Sequence, residues 1–188
     1  MNGVVTTGDE VIVFDPAYDS YEPAVQLAGG KTIHIPLTLP DYGMDWERLE
    51  QAINSRTRLI IITSPHNPCG SILTKAALDK LAALMRDYDI LILSDEVYEH
   101  MVFDSEKHES VLAHSELRTK SFVVSSFGKT YHATGWKLAY CVAPEKLTTE
   151  FRKVHQYVTF TTSSFVQYAI ADFMAECPEY TLELPGFY

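Results

Sequence analysis

The chain has 188 residues, 46% hydrophobic and 21% charged, with 15 Lys and Arg against 25 Asp and Glu for a formal net charge of -10. That balance supports a well-buried core and excludes disorder, and its acidity argues against nucleic acid or an anionic membrane as the main partner, since both reward basic patches. Cys69, Cys141 and Cys177 form no CxxC pair, which points away from a disulfide framework or zinc site, and the absence of a spanning apolar run or signal peptide reads as cytoplasmic.

Short β-branched runs alternate with longer helical patterns, which predicts an α/β fold with a mostly parallel sheet and crossover helices. Strands are predicted over 11–14 and 32–35. A turn at Asp41, Tyr42 and Gly43 then leads to a helix starting at Asp45 that buries Trp46, Leu49 and Ile53. The strand over 59–63 is followed by the clearest helix, N-capped by Thr74, with Leu78, Leu81, Ala82 and Met85 on one face. Further strands fall over 90–93, 122–125 and 138–143, with helices over 144–157 and from 163 towards 174. The chain enters a strand almost at once and ends apolar, so it reads as the middle of something longer, cut at both ends.

Three polar clusters follow three of these strands, where open α/β sheets bind their ligands. Ser64-Pro65-His66-Asn67-Pro68-Cys69-Gly70 is a turn presenting Asn67, which alone is a turn residue. Ser94-Asp95-Glu96-Val97-Tyr98-Glu99 sets Asp95 at a strand end, with Tyr98 placed to share the face of a helical turn; alone, Asp95 reads as a helix cap. Lys129 follows the strand over 122–125 among small and aromatic residues. It is read either as an amine whose charged form is disfavoured by burial, suited to forming a Schiff base, or as a lysine snorkelling to solvent. His66, His132 and His155 have no ligand spacing with an acidic partner, so no metal site is expected. The acidic stretch from Asp104 to Glu109 is read as a solvated loop.

Taken together, a carboxylate, an amide, a phenol and an amine on one sheet edge suit a planar aldehyde bearing a ring nitrogen, a ring hydroxyl and a phosphate. The clusters, with Asp15-Pro16-Ala17-Tyr18-Asp19-Ser20-Tyr21 and the run from Ser125 to Lys137, resemble the class I/II fold-type I pyridoxal-phosphate aminotransferases, in particular the kynurenine and methionine branch. Asn67 and Asp95 stand 28 residues apart and Lys129 and Lys137 stand 8 apart, as that family has them.

The resemblance implies a three-layer α/β/α fold, with residues 1–188 a partial cofactor-binding large domain lacking an N-terminal segment and a C-terminal small domain. It implies pyridoxal 5'-phosphate as cofactor, bound covalently by Lys129. Asp95 would pair with the ring nitrogen, Asn67 and Tyr98 with the ring O3', Tyr18 with the ring face, and Ser126 and Lys137 with the phosphate. Lys137 stands where many members have arginine, and holds phosphate as a point charge rather than a fork. Phe160 matches an aromatic sent into the neighbouring subunit's substrate pocket, which implies a homodimer. The implied reaction is ping-pong transfer of an amino group from a methionine-like, aromatic or kynurenine-like amino acid to a 2-oxo acid, a place in amino-acid metabolism, biosynthetic processes included. A carbon-sulfur β-lyase and a catalytically silent fragment are the rival readings. Cys69 stands where threonine is usual and Ala139 where glycine is usual.

Overall fold

Alternate residues of the strands feed two separate cores, one on each face of a single sheet. The computed structural model describes residues 1–188, with strands β1 (Glu10–Asp15), β2 (Lys31–Pro36), β3 (Thr57–Thr63), β4 (Leu91–Asp95), β5 (Ser121–Ser126) and β6 (Ala139–Val142). Their order across the sheet is β2-β1-β3-β4-β5-β6, all parallel neighbours except β6, which runs antiparallel to β5. The first three crossovers carry helices α1 (Tyr21–Leu27), α2 (Trp46–Ala52) and α3 (Lys75–Met85). After β5 come a single helical turn α4 (Phe127–Thr130) and, beyond β6, α5 (Glu145–Val158), α6 (Ser164–Glu176) and α7 (Tyr180–Phe187).

Ile12, Phe14, Ile60, Ile62 and Ile92 pack with Leu49 of α2 and Leu78, Leu81 and Met85 of α3. Val11, Val13, Leu59, Ile61 and Leu91 pack with Tyr21 and Val25 of α1, and Leu147 of α5 joins them at the edge. Each such aliphatic side chain taken from water contributes about 1.5–3 kcal/mol, so both faces must be covered, and three α/β/α layers result. Because β1 pairs with both β2 and β3, the chain turns one way after β1 and the other way after β2. The crevice opened by that reversal lies at the carboxyl ends of the strands.

Thr74 caps α3 as expected, accepting from Ala77 N–H, and Asp45, where a helix was expected to start, caps α2 by accepting from Arg48 N–H. Of the three residues expected to be buried by α2, Leu49 is fully enclosed, while Trp46 and Ile53 are half-buried against the core. The fourth strand ends later than predicted, at Asp95, so that carboxylate is part of the ladder and not of the loop beyond it.

Helices α1 and α7 escape the sequence reading. Pro23 suggests a turn, but it occupies the first turn of α1, where no N–H is needed. In α7, Pro185 and Gly186 hide the helix. That helix stacks Tyr180 on Tyr131 at 5.6 Å between ring centroids, and Tyr131 in turn stacks on Phe127 at 6.0 Å. The aromatic column therefore anchors the end of the chain against the turn that carries Lys129.

Candidate active site

Four adjacent strands, β1, β3, β4 and β5, deliver the polar clusters to one place. Tyr18 comes from the loop after β1, Asn67 from the loop after β3, Asp95 and Tyr98 from the end of β4, and Ser126 and Lys129 from the end of β5. The antiparallel β6 starts at the same edge, with Ser126 paired in register to Ala139, and so adds Lys137. All seven line one cavity of about 430 Å³, within the range of roughly 300–1,000 Å³ usual for small-molecule sites.

Local structure fixes each group. The Asn67 turn is closed by the N–H of Gly70 donating to His66 O at 2.7 Å, with Gly70 at a φ of 74°, which favours glycine. The Leu73 N–H ties the far side of that loop to Ser64 Oγ at 2.9 Å. Tyr98 sits on a non-helical turn, in place of the helical one expected, in which Met101 N–H donates to Tyr98 O at 2.8 Å. Ser126 caps α4, accepting from Gly128 N–H at 3.1 Å, and a Cβ on Gly128 would stand 2.9 Å from Thr134 Cα. Lys137 closes the turn over Thr134–Trp136 in the left-handed conformation, at a φ of 55°. Such a conformation costs a non-glycine residue about 1–3 kcal/mol and gathers at functional sites.

Asp95 is the electrostatic centre. Its Oδ2 accepts from the Tyr21 hydroxyl at 2.6 Å and its Oδ1 from Val97 N–H at 3.2 Å. Burial pushes the carboxyl above its ordinary value, and the bonds from Tyr21 and Val97 work against that rise. The Tyr21 hydroxyl is driven upward in turn, by burial and by the charge of Asp95.

Of the two readings of Lys129, the structure agrees with the solvent-facing one. Its side chain is exposed and not buried at a strand end, and its Nζ stands 6.0 Å from the centre of the Tyr98 ring. The reason is local: α4 turns Gly128 and Thr130 into the protein and Lys129 outward into the cavity. Phe160, at the end of α5, is 78% exposed and takes no part in the cavity.

The sequence profile of the family described as "Aminotransferase class I and II" matches residues 3–184. The chain belongs to the class I and II aminotransferases. Over its full length it is 47% identical to methionine aminotransferase of Escherichia coli, covering 49% of that protein. It is 36% identical to human kynurenine–oxoglutarate transaminase 3 over 91% of this chain and 40% of that one. The crystal structure of the Escherichia coli methionine aminotransferase superposes with a TM-score of 0.96 at 47% identity, over all of this chain and 50% of the other. The chain thus spans about half the length of the curated relatives it matches. Pyridoxal phosphate is the cofactor of class I and II aminotransferases.

The candidate site has supports that the sequence alone does not reveal. Tyr21 and Thr63 line the cavity and bond to each other at 2.9 Å, a link that only the fold of α1 onto β3 reveals. Behind Asp95, the fully enclosed Glu96 accepts from Ser94 Oγ at 2.8 Å, Val111 N–H at 3.1 Å and His108 Nε2 at 2.9 Å. Burial raises the Glu96 carboxyl, but the bonds from His108, Ser110 and Ser94 outweigh it and hold the group below its ordinary value. His108 therefore corrects the solvated-loop reading: 104–107 are exposed, while His108 pins the loop to the end of β4. The carboxylates of Glu96 and Glu99 and a His108 ring nitrogen lie within 4.8 Å of one another, a grouping overlooked in the sequence. Glu96 is already committed there to Ser94, Val111 and His108, and Glu99 to Ser125 and Tyr140. No helix is long and apolar enough to cross a membrane.

Proposed function

We propose that this chain binds pyridoxal 5'-phosphate at the carboxyl ends of β1, β3, β4 and β5 and serves an aminotransferase acting between a methionine-like, aromatic or kynurenine-like amino acid and a 2-oxo acid. The observation that carries this reading is the meeting of Asp95, Asn67, Tyr98 and Lys129 around one cavity of about 430 Å³. The donor set fits the group: a carboxylate for a ring nitrogen, an amide and a phenol for a ring oxygen, an amine for an aldehyde, and a hydroxyl with a second lysine for a phosphate. The names of the relatives, a methionine aminotransferase and a kynurenine–oxoglutarate transaminase, support the choice of amino acids.

When bound, the cofactor supplies an electrophilic carbon and a ring that takes up the electrons freed at the substrate Cα. Asp95 keeps a proton on the ring nitrogen, for which a carboxylate held by two hydrogen bonds is well placed. Asn67 and the Tyr98 hydroxyl orient the ring oxygen, Tyr18 covers a ring face, and Ser126 and Lys137 hold the phosphate. Lys129 would hold the aldehyde carbon through its Nζ, and the Lys129 amine, when free, would move the proton at the substrate Cα as a general base in a two-stage ping-pong cycle.

Residues 1–188 act as part of the cofactor-binding large domain of a cytoplasmic homodimer. Phe160 supports the second copy: an aromatic 78% exposed and held at a φ of 64° is positioned away from its own cavity, free to enter a neighbour's. Single-turnover assay tests the function. The chain loaded with cofactor and given methionine or kynurenine without an oxo acid should form one equivalent of product oxo acid and of pyridoxamine phosphate, then stop. Continued release of ammonia, or no product with either amino acid, would overturn the proposal.

A further inference from the structure

Asp95 is held from one side by a residue that no motif assigns. Tyr21, the first residue of α1, is 9% exposed and places its hydroxyl between Thr63 Oγ1 at 2.9 Å and Asp95 Oδ2 at 2.6 Å. Thr63 and Asp95 end neighbouring strands in direct register, so the hydroxyl bridges the tips of β3 and β4. Its ring stands in the wall between the 430 Å³ cavity and a second cavity of about 280 Å³ under the Asn67 loop, which Phe14, Trp46 and His66 line from behind.

We infer that Tyr21 is a positioning residue of this site: clamped by Thr63, its hydroxyl fixes the orientation of the Asp95 carboxylate and keeps that carboxylate charged for a cationic ring nitrogen. The inference rests on the cofactor reading above and deepens it. With one oxygen of Asp95 accepting from Tyr21 and the other from Val97 N–H, rotation about the carboxylate bond is removed. One acceptor position on each oxygen remains free, on a residue that lines the cavity. A hydrogen bond to the charged form favours that form, and here it opposes the rise caused by burial and by neighbouring Glu96. The other titratable groups around Asp95 are Tyr18 from the loop before α1, Tyr98 from the turn after β4, and Lys129 and Lys137, all lining the same cavity. Only the Tyr21 hydroxyl is bonded to the carboxylate itself among these side chains.

The test begins without cofactor. The 188-residue chain labelled with 13C at aspartate carboxyls is titrated by NMR, the Asp95 signal being assigned by its loss in Asp95→Asn. Tyr21→Phe, which keeps the ring in the wall, should raise the Asp95 midpoint by about one pH unit or more. Thr63→Val, which leaves the tyrosine but loosens its clamp, should raise it by less, and decides the matter if Tyr21→Phe does not fold. With cofactor labelled with 15N at the ring nitrogen, Tyr21→Phe should move the resonance towards the unprotonated form. An Asp95 midpoint unmoved in the folded variants would overturn the inference, leaving Tyr21 a packing residue. If the wild-type chain takes up no cofactor, the proposed function fails, while the cofactor-free titration still decides what Tyr21 does to Asp95.

Discussion

Thr63 at the end of β3 and Asp95 at the end of β4 are direct register partners. That pairing aligns the base of the Asn67 loop with the carboxylate, so two polar groups 28 residues apart in sequence meet at one cavity. Asp95→Asn keeps the shape and the bond from Val97 N–H to Oδ1, and its Nδ2 faces the Tyr21 hydroxyl, which turns from donor to acceptor; the charge is removed. The single-turnover rate should fall on the order of 10²–10³-fold, the equivalent of about 3–4 kcal/mol, for breaking a partly buried charge pair. Urea unfolding of the same variant should be little changed, which separates a lost charge from a lost fold.

Gly128→Ala probes the turn that presents Lys129. The added Cβ would meet Thr134 Cα at 2.9 Å, a backbone atom that cannot rotate away. Overpacking of this kind costs about 1–3 kcal/mol, and the strain falls on the link between α4 and the turn leading to Lys137. The expected outcome is weakened cofactor uptake, read by equilibrium titration, together with a urea midpoint lowered by an amount of that size.

Glu96 makes stability depend on acid. Its folded carboxyl titrates below the ordinary glutamate value of 4.5, so the unfolded chain takes up that proton first as pH falls. The stabilisation is fully present above that value and is lost as pH drops through the folded one. Glu96→Gln should be less stable by about 1–3 kcal/mol near neutrality, through loss of the charge-assisted bond from His108. It should also lose less stability than the wild type on going from about pH 7 to about pH 3. Denaturant midpoints across that range check both halves; parallel curves for the two proteins would contradict this assignment.

Ile60 is fully enclosed in the middle of β3, between strands β1 and β4. Ile60→Ala should cost about 2–5 kcal/mol by urea unfolding, as a core truncation with little room to collapse. Leu27→Ala, at a residue 87% exposed, should change stability by less than about 0.5 kcal/mol.

Much of this was legible in the sequence because its signals are local. Strand runs, the Thr74 cap, the helix start at Asp45 and the turn at Gly70 depend on near neighbours, and the six strands fall within a few residues of their expected places. The polar clusters were legible because they sit just past strand ends, where the parallel topology gathers them. Tyr21 was not, since its bond to Asp95 spans 74 residues and needs α1 folded on the sheet. The same holds for His108 and Glu96, whose contact turns part of a charged loop into a clamp. The sequence leaves open whether Lys129 is buried or faces solvent, because it shows small and aromatic neighbours but not which way a single helical turn will face them.

The role of Lys129 is tested most directly by fixing the bound cofactor with borohydride and mapping the modified peptide by mass spectrometry. The chain carries further exposed lysines, including Lys75, Lys80, Lys137 and Lys153, which serve as internal controls. The expected result is a single stoichiometric adduct on Lys129, abolished in Lys129→Ala. An adduct spread over the other lysines, or one that persists in the variant, would contradict the site.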